Sequence, residues 1–193
     1  TYIMSSYSGE ITEITVAEGS YVNEGDLIAH IKSTDLDMQA DSLQSQIDIY
    51  QKQKNQYEKL LKSIQDDKNY FSETDIDDQP YYYQYESYKS QITQKTFDAA
   101  PYQAAGYSEE QIKALMEQNQ SEIEALYYST LQSISSNLTN IQSNLDNLNT
   151  QLDSLNSGAN DYYIYAPTSG VIHMDTPYKV GMVLSAGTPL ATV

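Results

Sequence analysis

The residues that could do chemistry in this chain are few: two histidines, His30 and His173, and an acidic run, "DIDDQPYYYQYE". The run places Asp75, Asp77, Gln79 and Glu86 at positions 1, 3, 5 and 12 of a calcium-loop frame. Position 6 of such a loop needs glycine for its sharp turn, and here it is Pro80. A solvated acidic loop is therefore the expected outcome. The histidines have no cysteine or second histidine spaced to share a metal, and they are expected to face solvent on strands. No serine stands in a nucleophile-elbow context, and no glycine-rich loop is built to cradle phosphate. The reading is a chain without catalytic residues, cofactor or metal.

Tyrosine is the other reactive or adhesive resource. The stretch "YYYQYESY", Tyr81 to Tyr88, offers apolar area with polar tips, suited to gripping a partner or stacking on a sugar. Packing between helices is the equally weighted alternative for Tyr85 and Tyr88. Tyr81, Tyr82 and Tyr83, with Tyr102 and Tyr107 further on, are the candidate partner contacts.

Composition narrows the partners. Net charge is −17, with ten lysines and no arginine, which argues against nucleic acid and against docking on anionic lipid. No apolar run approaches the roughly 20 residues that cross a bilayer. The abrupt start at "TYIM" and the strand-like end "LATV" are expected to be cut points in a longer chain, with an anchor or further domains beyond them.

The elements that must position these residues fall into two textures. "SGEITEITVAEGSYVNEGDLIAHI" near the start is echoed near the end. Ser8 and Gly9 match Ser169 and Gly170, Ile11 matches Ile172, and Gly19, Val22 and Gly25 match Gly181, Leu184 and Gly187. Ile28, Ala29 and Ile31 then match Leu190, Ala191 and Val193. Alternating apolar residues around glycines predict short strands joined by tight turns, with Gly9, Gly19, Gly25, Gly170, Gly181 and Gly187 as turn formers. Neither copy can bury its own apolar face, so the two are expected to pack as one sandwich.

Between the copies the rhythm becomes heptad. Leu36, Ala40, Leu43, Ile47, Tyr50, Lys54, Tyr57, Leu61 and Ile64 recur every four and three residues. Tyr127, Leu131, Ile134, Leu138, Ile141, Leu145, Leu148, Leu152 and Leu155 repeat that spacing. Such a pattern predicts a coiled-coil seam with the other helix faces solvated. The seams are equally long, roughly 42 Å at about 1.5 Å per residue, and the second helix returns to where the first began. The arms are therefore expected to pair antiparallel, with Lys54 snorkelling to water.

The expected organisation is a first β segment at 1–34, a helical hairpin at 35–158 and a second β segment at 159–193. Within the hairpin, the outgoing arm is 35–66 plus 80–98, interrupted at 67–79, and the tip is 99–108. "SEEQ", Ser108 to Gln111, is a capping box that opens the returning arm, 109–157. Residues 80–98 are expected to lie against 109–126.

This order of elements, the half motif, the heptad arms and the return phrase "YYIYAPTSGVIH" resemble the haemolysin-D-type membrane fusion proteins, the adaptor subunits of bacterial exporters. The resemblance implies an α+β fold: a lipoyl-like, barrel-sandwich-hybrid β-sandwich made of two sequence halves, with the long antiparallel hairpin inserted between them. It implies a non-catalytic, extracytoplasmic adaptor held to the membrane by an anchor helix missing here. Such a protein works with a membrane transporter subunit and self-associates into a ring, although the fragment alone could be monomeric.

Adaptors of this kind often carry an Arg-Leu-Ser pattern at the hairpin tip, which a chain without arginine cannot have. Either docking uses other chemistry or there is no outer-membrane channel to meet. With lysine as the only strongly basic residue type, the latter points to a Gram-positive exporter of the ABC type, for a peptide, bacteriocin or protein. A lipoyl-like fold also raises the question of a carrier lysine, but Lys32 sits in "HIKSTD", outside the Asp-Lys-Ala and Met-Lys-Met contexts that modification needs. The rival reading is an extracytoplasmic scaffold or ligand-binding surface protein that uses the hairpin as a spacer.

Overall fold

The computed structural model describes residues 1–157 and 162–193, so the 35–158 and 159–193 boundary falls outside the described residues. The first segment forms β1 (Tyr2–Met4), β2 (Gly9–Ile14), β3 (Tyr21–Val22) and β4 (Leu27–Lys32). Four helices follow: α1 (Thr34–Asp66), α2 (Gln79–Gln94), α3 (Ala100–Ala104) and α4 (Glu109–Ser157). The chain closes with β5 (Tyr163–Tyr165), β6 (Gly170–Val171), β7 (Val183–Leu184) and β8 (Pro189–Thr192). It divides into two compact units, Thr1–Ile47 with Asn147–Val193, and Asp48–Asp146.

In the β unit the two segments are interleaved. β1 pairs with β8, β2 with β7, β3 with β6 and β4 with β5, all antiparallel, and each pair joins one segment to the other. Among the described residues, only β2–β4 pairs strands of one segment; its counterpart is the bridge His173–Thr192. The repeat is thus a structural two-fold. Ile11 N–H donates to the Met182 carbonyl and Gly181 N–H to that of Ile11; Ile172 and Gly19 repeat this with Ser20 and Ile172. Matched positions share the core: Ile11 and Ile172, Ile28 and Leu190, and Val22 and Leu184 are all buried together. Burying roughly 25 cal/mol per Å² of such surface is what neither segment achieves alone.

The glycines divide into two kinds. Gly19 and Gly181, at φ 79° and 94°, occupy a left-handed turn conformation that side chains disfavour, as expected. Gly9 and Gly170 are not turn formers: both lie within strands and allow close approach. A Cβ at Gly9 would stand 2.2 Å from the Lys32 carbonyl oxygen, and one at Gly170 would stand 2.7 Å from Val193 Cγ1.

In the helical unit the outgoing arm does not run on through an interruption. α1 ends at Asp66, and the chain then folds back along it. The start of α2 therefore lies beside Lys52, Gln56 and Tyr57, not beyond residue 66. α2 ascends again past Asp67, where Lys89 Nζ meets that carboxylate at 2.5 Å. Leu60, Ile64, Phe71, Tyr85 and Ile134 form one buried cluster, so this section is three helices thick, drawn from α1, α2 and α4. Gln84 and Tyr88 border a cleft with Ser129, Ser133 and Asn137, further along α4 than the expected 109–126 partnership, which holds only at the far end, where Lys95 meets Asn119 and Glu122.

The extra helix changes which face of α1 is buried. Gln56, Leu60 and Ser63, expected in solvent, are buried, while the seam residues Tyr57 and Leu61 are only partly so. On α4, Ile134, Ile141, Leu145 and Leu148 are buried, and Leu131, Leu138 and Leu152 partly buried. Leu43, Ile47 and Tyr50 are partly buried. α2 stops at Gln94, short of the expected 98, and the tip contains the short helix α3. Among the described residues no helix is long and apolar enough to cross a membrane.

Candidate functional site

The fold-back is built residue by residue from polar side chains. Asp67 takes a left-handed conformation at φ 52°, and Lys68 N–H reaches back to the Ser63 carbonyl, ending α1. Buried Ser63 accepts the Tyr70 N–H through its hydroxyl. Asn69 accepts the Phe71 N–H and donates to the Tyr82 carbonyl and to Glu86 Oε1 at 3.0 Å. Phe71 is thereby turned inward, stacked on Tyr81 with ring centres 5.6 Å apart, and the Lys59 ammonium lies 5.1 Å from its centre.

The acidic run then secures the return. Asp75 Oδ1 accepts the N–H groups of Asp77 and Asp78, forming a turn. Asp77 pairs with Lys52 at 2.7 Å. Asp78 precedes α2 but does not cap it with its side chain. Its carboxylate instead accepts from Gln56, Lys59 and the Ser72 N–H, the first at 2.7 Å. These bonds, led by the one from Gln56, hold the Asp78 pKa below the usual carboxylate range. The residues of the calcium-loop frame are thus engaged with protein partners: Asp75 with backbone, Asp77 with Lys52, and Glu86 with Asn69. Pro80 takes an early position of α2, where a missing N–H leaves no helical bond unmade.

Around this elbow the tyrosines separate by depth. Tyr85 is buried, and burial, reinforced by Asp67, pushes its hydroxyl pKa up to about 12. Tyr81 packs edge-on against Tyr57 and Tyr82 packs partly into the cluster, whereas Tyr83 is half exposed. Tyr102 and Tyr107 form a separate group at the tip. Phe97 stacks on Tyr102 with centres 5.6 Å apart, and Tyr107 meets the same ring edge-on at 5.3 Å. Ser108 and Gln111 cap each other reciprocally, at 2.9 and 3.1 Å, starting α4. Asn119 donates to the Lys95 carbonyl at 2.7 Å, fastening the end of α2 to α4.

Two exposed residues that the sequence pattern did not single out share the elbow. Ile76 is 83% exposed and Ile49 58% exposed, and with Pro80 and Tyr81 they border a groove of about 360 Å³. Ile49 lies off the seam and Ile76 inside the acidic run, so neither heptad spacing nor charge marked them.

In the β unit one titratable cluster joins the two segments. Glu18 Oε1 meets His173 Nδ1 at 2.7 Å, while its other oxygen accepts the Met174 N–H at 2.5 Å. Asp175 meets His173 Nε2 at 3.2 Å. The Met174 bond, then His173, lowers the Glu18 pKa; the Glu18 bond raises that of His173. His30 instead stacks on Tyr163 with centres 4.2 Å apart and meets Thr12 Oγ1 at 2.8 Å.

Residues 39–104 match a family described as the LcnD-like long helical bundle domain. No curated protein sequence is significantly similar to the chain. Among solved structures, the soluble domain of LipC, a membrane fusion protein of a type I secretion system, superposes with a TM-score of 0.58 at 16% identity, covering 99% of this chain and 97% of that one. The periplasmic adaptor protein EmrA gives 0.54 at 16% identity, covering 99% and 70%. MacA from Actinobacillus actinomycetemcomitans gives 0.50 at 17% identity, covering 100% and 48%.

Proposed function

We propose, for a chain with the architecture of the haemolysin-D-type membrane fusion proteins, a non-catalytic adaptor role in a bacterial export system. The observation that carries this reading is the insertion itself. A β unit whose strand pairs join two distant segments is interrupted by a long helical stretch, and LipC and EmrA superpose over 99% of the chain. The sandwich is read as lipoyl-like without a carrier role, since Lys32 stands in "HIKSTD", outside the contexts that modification needs. Full-length protein would be anchored in the cell membrane and stand outside the cytoplasm. It would bind a transporter subunit and surround it as a ring, with the hairpin setting the reach of the conduit.

The absence of arginine, which leaves the tip without an Arg-Leu-Ser pattern, favours an exporter of the ABC type, for a peptide, bacteriocin or protein, in a Gram-positive cell. Candidate partner contacts are Tyr83 at the elbow and Tyr102 and Tyr107 at the tip. Purification of the full-length protein from its native membrane in mild detergent tests the role. Co-purification of an ABC transporter subunit is the expected result. Recovery from the cell wall with no transporter would instead establish the scaffold reading.

A further inference from the structure

We propose that copies of this chain join head to tail through the β unit, the stretch Lys179–Val183 of one copy seating against the Tyr21–Val171 pair of the next. This contact would build the ring of the adaptor reading, on which it rests. The two turns concerned are equivalent under the internal two-fold. In one, Ser20 N–H donates to the Ala17 carbonyl and Gly19 N–H to that of Ile172. In the other, Met182 N–H donates to the Lys179 carbonyl and Gly181 N–H to that of Ile11. The backbone is repeated but the side chains are not: "AEGSY" stands at 17–21 where "KVGMV" stands at 179–183.

The second turn is an apolar knob. Val180, Met182 and Val183 are all exposed, the last at 76%, within four consecutive residues. Apolar residues scattered singly on a surface need no explanation, but a group held on a fastened turn marks a contact. On the equivalent side Tyr21 and Val171 are both exposed. They stand directly opposite each other in the β3–β6 ladder, so their side chains share a face.

Charge chooses a second copy and fixes its direction. Lys32 and Lys179 are the only lysines of the β unit. Lys32 is paired with Asp37, whereas the Lys179 ammonium makes no ion pair among the described residues. Glu10, across the ladder from Val183, has Lys32 opposite it on its other side. The Tyr21 side is acidic: Glu18 and Asp175 bracket His173, and Glu24 is exposed three residues from Tyr21. Knob against knob would set lysine on lysine, and two Tyr21 sides would set glutamate on glutamate. Only the mixed contact joins apolar to apolar with opposite charges around it. Each copy carries both surfaces, so the contact is heterologous and passes from copy to copy, closing as a ring where the rotation allows.

Because the chain has no cysteine, introduced ones report the contact cleanly. Full-length protein carrying Val183→Cys is co-expressed with a copy carrying Val171→Cys and oxidised in its native membrane. Linked peptides are then identified by mass spectrometry. Expected is a disulfide between positions 183 and 171 of different copies, with links between like positions about tenfold rarer. Lys179→Glu should cut the mixed link about fivefold, and Glu24→Lys in the same chain should restore it. Like-position links as abundant as the mixed one would overturn the proposal. So would a mixed link no more frequent than that of Val183→Cys with Ile76→Cys, or one indifferent to Lys179→Glu. A transporter subunit in the same preparation without the mixed link would sink this interface and leave the adaptor reading standing; the mixed link without a transporter would do the reverse.

Discussion

Gln56, two-thirds of the way along α1, donates to Asp78, the residue before α2, across 2.7 Å and 22 positions of sequence. That bond marks the level at which the chain, having run outward, has come back. Gln56 is only 8% exposed, so its amide has exchanged water for Asp78 and the Asp77 carbonyl. Replacing Gln56 with alanine leaves a half-buried carboxylate short of its leading donor, and should cost about 1–3 kcal/mol. Urea titration followed by far-UV circular dichroism measures it. Asp78→Asn, which keeps an acceptor for Gln56, should cost less than Asp78→Ala.

Adjacent leucines provide the sharpest check of the three-helix section. Leu60 is 2% exposed in the cluster with Tyr85 and Ile134, whereas Leu61, the heptad position, is only partly buried. Leu60→Ala should therefore lose about 2–4 kcal/mol, and Leu61→Ala clearly less. A two-helix seam gives the opposite order. Urea midpoints of the two variants at equal slope separate these outcomes.

The Glu18–His173 pair should make the β unit sensitive to pH in a defined direction. The folded-state pKa of His173 is raised, so its contribution is complete below the unfolded histidine value and fades as pH climbs through the folded one. Glu18 is lowered, so its contribution is complete above the ordinary glutamate value and fades as pH falls through the folded one. The pair's contribution is thus complete between the ordinary glutamate value and the unfolded histidine value, and fades on either side. Proton NMR titration of the His173 ring should show its pKa falling in Glu18→Gln. An unchanged titration would mean that the two groups do not meet in solution.

Gly9→Ala should harm the sandwich while sparing the helices. The added Cβ would lie 2.2 Å from the Lys32 carbonyl oxygen, which belongs to the partner strand and cannot swing aside. Separation of the strands at a cost of about 1–3 kcal/mol is expected. Near-UV circular dichroism and hydrogen exchange at the Ile11 and Ile31 amides would register it. In contrast, Ser6→Ala, at an exposed neighbouring position, should be silent.

Leu145→Asp together with Leu148→Asp should strip helicity from the hairpin, since both side chains are buried on α4. Survival of the far-UV signal in the double variant would mean that this stripe is not what holds the arms.

The duplicated β pattern was readable because its periodicity of two and its glycines are local, and its matched positions do sit together in one core. The starts of α2 and α4 were readable for similar reasons: Pro80 and the Ser108–Gln111 box are short-range signals. What escaped was the fold-back. Its determinants, Gln56 with Asp78 and Asp67 with Lys89, lie about twenty residues apart and resemble ordinary surface polar residues in isolation. A buried glutamine has no sequence signature, and heptad spacing assumes one partner helix where α1 has two. Gly9 was misassigned because a glycine that makes room and a glycine that makes a turn look alike until the neighbouring strand is in place. Ile76 was hidden by the charges around it.

Interleaving of the β segments also constrains the order in which this protein can fold. A ribosome releases Ile11, Ile28 and Ile31 about 150 residues before Leu184 and Leu190, the residues that cover them. Until then those isoleucines have only each other and the water. Closing so long a loop at random is entropically slow, but nucleating α4 against α1 shortens the effective search between segments. Pairing of the arms is in this sense expected to speed assembly of the β unit. Lesions in the apolar stripe of the arms should therefore delay strand pairing and raise aggregation during synthesis, even where the finished sandwich is untouched.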